Sequence, residues 1–570
     1  MPMSRRLNLV RLVLLGAAGI IALRLGQLQV VQGALFRQAS EQNRIRLVLR
    51  AAPRGPILDR AGRLLAGSRP AAAIEVTPTE FARGGPEALE RLAKILGRDA
   101  DTLADQLDPR RVKPYRPIVV LTDAPEEIVA KVEEQSLYLP GVAVVVAPVR
   151  SYRGSVAAHV IGYVREVDRA DLAARAAEGY RQGDRIGKFG LEKMLESTLR
   201  GRAGGDQIEV DASGRRLRTL SGVPPVPGQP VRTTLDLSLQ LAAEEGLGDR
   251  AGAVVALDPR TGEILALVSH PAFDPNKLSH TLSPAEWRAL NSPERPQLNR
   301  ATTGLYEPGS VFKLVTLAAA LEGGETHPGD NFYCPGFFRL GRWTLRCWRT
   351  GGHGPLDLRA ALVNSCNTVF ATLGYRLGAD ALLAMARRFG FGRPTGFDLG
   401  EERAGHIPGH RAWQPGDPCQ FAIGQGSLLV TPIQVARAVA AIANGGTLVR
   451  PHILLGGSAA PQPLGVSART LEFIRDAMAG VVAEGTARGI KSEEVTLAGK
   501  TGTAENPGGS AHAWVAGFGP VEAPRVVVVV LIQHGGTGSG AAAPVAARVF
   551  AAAFGPSRRD RDGVPGETPR

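Results

Sequence analysis

Three short groups of residues, in a fixed order, carry side chains that could do covalent chemistry together: Ser310-Val311-Phe312-Lys313, Ser365-Cys366-Asn367 and Lys500-Thr501-Gly502-Thr503. A serine hydroxyl is a weak nucleophile until a neighbouring base takes its proton. Lysine becomes such a base when burial lowers its pKa. Ser310 and Lys313 are three residues apart, about one helical turn, so on a helix they share a face. The local sequence predicts that helix. Glu307-Pro308-Gly309 places two breakers ahead of Ser310, and residues 311–321 form an apolar run of good helix formers. Ser310 then stands at a helix N-terminus, where free N–H groups favour a developing oxyanion. The competing reading is a solvated lysine on an ordinary helix cap. A lone Ser-x-x-Lys arises by chance about once or twice in a chain this long, so the weight rests on the other two groups.

The elements around Lys500 read as strands. Residues 495–499 lead into Lys-Thr-Gly-Thr, and residues 513–518 and 525–532 come after it at short spacing. The last is a continuous β-branched run, as expected of a strand covered on both faces. Short connections predict an antiparallel meander, with Lys500 to Thr503 on the strand that lines a cleft. Gly502 is expected to let a substrate backbone approach that strand. A helix over 541–554 closes the domain.

With these residues in view, the chain resembles class B penicillin-binding proteins over nearly its whole length, through the Ser-x-x-Lys, Ser-x-Asn and Lys-Thr-Gly groups. Arg54-Gly55-Pro56-Ile57-Leu58-Asp59-Arg60-Ala61-Gly62 is similar to the family's N-terminal signature. Ile186 to Lys193, with Leu199-Arg200-Gly201, is similar to its second non-catalytic block, and Gly424-Gln425-Gly426 before Thr431-Pro432 to a segment beside the cleft. The resemblance implies acyl transfer on peptidoglycan stem peptides. Ser310 would attack the D-Ala-D-Ala amide and expel D-alanine, and a neighbouring strand's amine would take the acyl group. It implies Lys313 as base, and Ser365 and Asn367 as proton relay and positioning groups. Lys500, Thr501 and Thr503 would hold the substrate carboxylate, and the N–H groups of Ser310 and Thr503 would form the oxyanion hole. No cofactor is implied for catalysis, and β-lactams would acylate Ser310 and persist.

The resemblance implies an α+β multi-domain protein, and the size and composition of the chain agree with that. The chain has 570 residues, 44% hydrophobic and 21% charged, enough for more than one core. Its net charge of +13 could mean nucleic acid, but no basic–aromatic module of the kind such binders use is recognisable. Anionic headgroups and an anionic wall polymer are simpler partners. Arg5, Arg6 and Arg11 precede the apolar run 12–23, and Arg24 ends it. That run is short for a span of about 20 residues, but apolar residues continue through Val31 and the arginines can snorkel. The expectation is an uncleaved single-pass anchor (1–32) in the inner membrane, with a cleaved signal peptide as its rival. Positive-inside bias would place the chain beyond that anchor in the periplasm. Residues 33–228 are then a mixed α/β pedestal, elongated by the resemblance, 229–555 the transpeptidase domain, and 556–570 a disordered tail. His159 reads as a packed or capping residue rather than a ligand.

The cysteines form a separate pattern. Cys334, Cys347, His353 and Cys366 succeed one another at gaps of thirteen, six and thirteen residues, in loop-like flanks. Three thiols and one imidazole are a complete tetrahedral set for structural zinc. Disulfides, which a periplasm permits, are the alternative, and they must either include Cys419 or leave thiols free. Because Cys366 lies between Ser365 and Asn367, a metal there would pin that loop from behind.

By resemblance, the stretch from Cys334-Pro335-Gly336 to His353 and the Gly-Leu-Glu-Lys block favour the elongation type. Asn367 and Glu307-Pro308-Gly309-Ser310 lean toward the septal type. Expected partners are a SEDS-family glycosyltransferase and other membrane proteins of the elongation complex. A β-lactam hydrolase or sensor and an inactive scaffold are the remaining alternatives.

Overall fold

The computed structural model describes residues 3–32, 45–108, 117–181, 183–210, 216–280, 282–409, 413–457, 460–506 and 508–555. The expected tail, 556–570, lies outside them. The N-terminus is one helix, Met3–Gly26, continued by a wider turn over Gln27–Val31. At 1.5 Å per residue the helix is about 36 Å long. Leu12, Leu14, Leu15, Ile20, Ile21 and Leu23 are all exposed on it. The apolar helix Asn367–Arg388 is long enough to span a bilayer, but half its apolar window is buried and it belongs to the core.

The chain forms two compact units that interleave in sequence. The smaller takes 1–55, 68–149 and 200–229, and the larger takes 56–67, 150–199 and 230–570. A linear division at 228/229 therefore places 56–67 and 150–199 in the pedestal, whereas they pack with the larger unit. In the smaller unit, Ile45–Arg50, Gly204–Val210 and Arg216–Val223 form an antiparallel sheet. Helix Gly85–Leu96 carries Ala88, Leu92, Ala93 and Leu96 on one buried stripe, the spacing of an amphipathic helix. These meet Leu103, Leu107, Val120 and Val132 in a core of their own.

The larger unit is built on a five-stranded antiparallel sheet. Its order is Ile264–His270, Gly252–Leu257, Val526–Ile532, Gly509–Gly519, Ala498–Asn506. The β-branched run 526–532 is central and all seven residues are buried, as its composition predicts. Helices Pro432–Ala443 and Ala543–Phe554 both pack on that strand. The edge strand carries Lys500 to Thr503.

Each non-catalytic signature block holds one buried carboxylate in a structural role. Asp59 is fully buried, and its carboxylate accepts the backbone N–H groups of Ala61, Arg63 and Leu237 and the Arg63 guanidinium. These bonds hold it below the usual carboxylate range against the burial that pushes it up. Glu192 of the second block is fully buried and takes Arg150 Nε at 2.6 Å and the Tyr152 hydroxyl at 3.2 Å. His159 is packed, as expected: it lies edge-on to Phe273 with Nε2 2.8 Å from Pro296 O.

Candidate active site

Pro308 and Gly309 set up the first group. Gly309 adopts φ +53°, and a Cβ there would stand 2.8 Å from Thr503 O, so only glycine allows this turn to touch the edge strand. One 3₁₀ turn over Gly309–Phe312 carries Ser310, and the α-helix proper runs Lys313–Glu322. The helix therefore starts slightly later than the sequence predicts, with Ser310 in its tightened first turn. Gly424 lies against the same turn: its carbonyl accepts from Gly309 N at 2.9 Å, and a Cβ on it would meet Gly309 O at 2.1 Å. Trp514, fully buried on the neighbouring strand, donates its indole N–H to Glu307 O at 2.9 Å.

The second group lies where helix Leu358–Val363 meets helix Asn367–Arg388. Ser365 sits there at φ +51°, a left-handed conformation that costs a non-glycine residue of order 1 kcal/mol or more. This conformation turns its hydroxyl toward two buried lysines. Lys500 Nζ lies 2.9 Å and Lys313 Nζ 3.3 Å from Ser365 Oγ. Lys313 also donates to Ser365 O at 2.8 Å and to Asn367 Oδ1 at 2.7 Å. Ser310 is not among these partners, so the lysine is held by the Ser-x-Asn loop, one turn along the helix from the serine. Both lysines are completely buried. Burial lowers Lys313 to about 7, which the Cys366 and Cys347 thiols partly oppose. Burial, aided by repulsion from Lys313, takes Lys500 well below the ordinary lysine value.

Thr501 and Thr503 are two residues apart on the edge strand, so they stand on the same face and differ only in what covers them. Thr501 is buried, with Oγ1 2.6 Å from Thr486 Oγ1, and Thr503 is exposed. Gly502 answers to the protein's own packing: a Cβ there would stand 3.0 Å from Pro308 O and from Trp514 Cβ. Thr486, Trp514 and the Gly309–Gly424 contact escape sequence reasoning, because a single threonine or tryptophan carries no signal of a partner far along the chain.

Behind the Ser-x-Asn loop, Cys334, Cys347, His353 and Cys366 converge, their ligand atoms all within 4.8 Å of one another. All four cysteines of the chain are buried and unbridged. A tetrahedral zinc–thiolate site needs sulfurs about 3.8 Å apart, so the group is close to ligand spacing. The Cys366 thiol and the backbone N–H groups of Arg349, Asn367 and Thr368 point at Cys347, which holds it below the ordinary thiol range and pushes Cys366 up. His353 Nδ1 faces Cys347 Sγ at 3.5 Å, while its buried Nε2 has no partner among the described residues. A favoured thiolate, two further thiols and an under-satisfied imidazole fit a divalent soft-ligand metal.

The antiparallel sheet, the serine–lysine helix and the lysine-bearing edge strand together define a serine acyltransferase of the penicillin-recognising class. Residues 252–551 match the penicillin-binding protein transpeptidase domain and residues 49–233 the penicillin-binding protein dimerisation domain. The chain belongs to the penicillin-binding protein transpeptidase family. It is 34% identical to the peptidoglycan D,D-transpeptidase MrdA of Escherichia coli K12, over 94% of this chain and 92% of that protein. It is 33% identical to the protein of the same name from Acinetobacter baumannii, over 93% and 84%. Among solved structures it is similar to a Helicobacter pylori penicillin-binding protein (PBP2) in complex with MreC, with TM-score 0.78, 28% identity, and 89% of this chain and 99% of that one covered. A chain in a peptidoglycan synthase complex that coordinates polymerization and crosslinking matches with TM-score 0.72 at 34% identity, covering 96% and 98%.

Proposed function

We propose that this chain is a peptidoglycan D,D-transpeptidase of the elongation type, working through a Ser310 acyl-enzyme. The observation that carries the mechanism is the convergence of two buried lysines on Ser365 Oγ. Neutral Lys313 takes the Ser310 proton as the hydroxyl attacks the D-Ala-D-Ala carbonyl. The N–H groups of Ser310 and Thr503 receive the developing oxyanion. Ser365 passes the proton to the departing D-alanine amine, with Asn367 holding Lys313 in place. Lys500, Thr501 and Thr503 take the substrate's terminal carboxylate, which restores an opposite charge beside a lysine that burial has deprived of one. β-Lactams enter the same path and remain on Ser310.

The elongation assignment rests on the shared MrdA name of relatives at 32–34% identity over nearly the whole chain. It extends to location and partners. Helix Met3–Gly26, with its exposed apolar side chains, anchors the protein in the inner membrane, and the transpeptidase unit works in the periplasm. Partners are a SEDS-family glycosyltransferase and an MreC-like scaffold, a reading supported by the similar chains solved with MreC and within a peptidoglycan synthase complex. Cys334, Cys347, His353 and Cys366 hold a structural zinc with no open position, so it takes no part in acyl transfer.

Fluorescent penicillin tests the core of this reading. The expected result is a covalent label that persists in the parent protein and is absent from Ser310→Ala. Rapid loss of label would indicate a hydrolase, and absence of label in the parent a scaffold.

A further inference from the structure

We propose that the outer face of the hairpin Phe337–Leu340/Trp343–Arg346, with the loop just after it, is the docking surface for the acceptor strand, a glycan strand bearing carboxylate-rich stem peptides. This rests on the transpeptidase reading and adds the position of the second substrate.

Between Asp330 and Asp357 the sequence has four arginines and no aspartate, glutamate or lysine. Arg339, Arg342, Arg346 and Arg349 are all exposed. None has a carboxylate partner among the described residues, whereas Arg359, just beyond, is held by both Asp476 and Glu484. Four guanidiniums within the eleven residues 339–349, with no carboxylate partner among the described residues, repel one another, a cost that an incoming anion removes. Guanidinium is also the side chain best matched to a carboxylate, which it grips bidentately.

The hairpin register gives the face its shape. Phe338 pairs with Leu345 on the inner side, and Leu345 is buried. On the outer side Phe337 pairs with Arg346 and Arg339 with Thr344. The Arg339 guanidinium lies over the Phe337 ring, 5.3 Å from its centre. Trp348 is 58% and Tyr333 70% exposed nearby. Rigid aromatic faces interleaved with guanidiniums suit a ligand that alternates sugar rings and carboxylates.

Location distinguishes this ligand from an anionic lipid surface. Arg346 O accepts from Asn367 Nδ2 at 3.3 Å, and the Trp348 indole donates to Asn364 O, one residue before Ser365, at 3.0 Å. The basic face thus begins at the rim of the catalytic loop. A headgroup would gain nothing from that proximity, but an amine that must reach the acyl-enzyme would. In that step the acceptor nitrogen attacks the Ser310 ester carbonyl and a C–N bond forms as the C–O bond to serine breaks. The amine proton passes through the lysine base to the serine oxygen. A docking face for the acceptor acts on this half-reaction and leaves acylation alone.

The test uses full-length detergent-purified protein and its Arg339→Gln/Arg342→Gln variant. Two quantities are read: the rate of penicillin acylation, and the ratio of cross-linked to hydrolysed product from uncross-linked peptidoglycan strands. The expected result is acylation within about twofold of the parent, which also reports a folded site, with a cross-link ratio lowered roughly tenfold. Arg339→Lys/Arg342→Lys should recover part of it. The penicillin-acylated parent should co-sediment with these strands and not with strands whose carboxylates have been amidated. An unchanged ratio in the glutamine variant overturns the docking face. So does variant-sensitive binding to anionic phosphatidylglycerol vesicles with strand binding intact. Loss of acylation in the parent itself would instead strike the transpeptidase reading.

Discussion

Lys313 and Lys500 approach the same hydroxyl from two elements, their nitrogens 3.3 and 2.9 Å from Ser365 Oγ. Two ammonium ions cannot share a dry pocket of that size without a large Coulomb cost. The arrangement therefore favours at least one neutral lysine, and the neutral form is the one that accepts a proton. Ser365 sits between them as a hydroxyl able to accept from one and donate to the other.

This pairing sets a pH profile. Lys313 is depressed to about 7 by burial, and only its deprotonated form is a base. The rate of penicillin acylation is expected to rise with pH, reach half its plateau near 7, and fall away below. Stability moves in the same direction. Between about 7 and the ordinary lysine value of 10.5, the unfolded chain binds a proton that folded Lys313 has shed, so this residue's contribution rises with pH across that window. A profile flat from about pH 5 to 9 would remove Lys313 from the role of base.

Ser365 separates strain from chemistry. At φ +51° glycine is more comfortable than alanine, so Ser365→Gly should be more stable than Ser365→Ala by roughly 1 kcal/mol. Both lack the hydroxyl that joins the lysines, and both should acylate about 10²- to 10⁴-fold more slowly than the parent. Thermal melts and stopped-flow acylation of the pair are the measurements. Equal stability would mean that the loop relaxes and stores no strain.

Part of this architecture is legible in the sequence. The run 526–532 announces a central strand because β-branched residues without alternation need cover on both faces. The gap between Ser310 and Lys313 announces a shared helical face, since that contact is local. Gly502 reads in the sequence as room for a substrate, yet its absent Cβ makes room for Pro308 O and Trp514. Linear order suggests one cut after the pedestal, whereas 150–199 packs with the larger unit through pairs such as Tyr152–Asn276. These differences arise from contacts between residues far apart in the chain, which neither periodicity nor propensity encodes.

Trp514 tests how far the serine turn depends on such a contact. Its indole N–H is the donor to Glu307 O, three residues before Ser310. Trp514→Phe keeps most of the buried ring and loses the donor, leaving that carbonyl without its bond. A cost of about 1–3 kcal/mol in stability is expected, with acylation slowed by roughly tenfold as the turn loosens. Acylation at the parent rate in a destabilised variant would confine Trp514 to the core.

The cysteine–histidine group supports the Ser-x-Asn loop from behind. Cys366 is the N-cap of the helix that begins at Asn367, and its N–H donates to Ala361 O at 2.9 Å. Its side chain joins Cys334, Cys347 and His353 behind the loop. A metal held there fixes the peptide carrying Ser365 and Asn367 from the side away from substrate. Mass spectrometry of the intact parent should find one zinc per chain. Cys347→Ser removes one of the four ligands, a sulfur that meets the backbone N–H of Asn367 but no catalytic side chain. Loss of a mere outer-shell partner already weakens a metal site by about 10- to 100-fold, and loss of a ligand costs more. The variant should melt several degrees lower and acylate penicillin more slowly, because Ser365 must hold a strained conformation without support. Zinc added back to the variant should restore neither in full. Unchanged acylation in a metal-free variant would show that the loop keeps its own shape, and a metal-free parent would leave three buried thiols and an imidazole whose packing alone supports it.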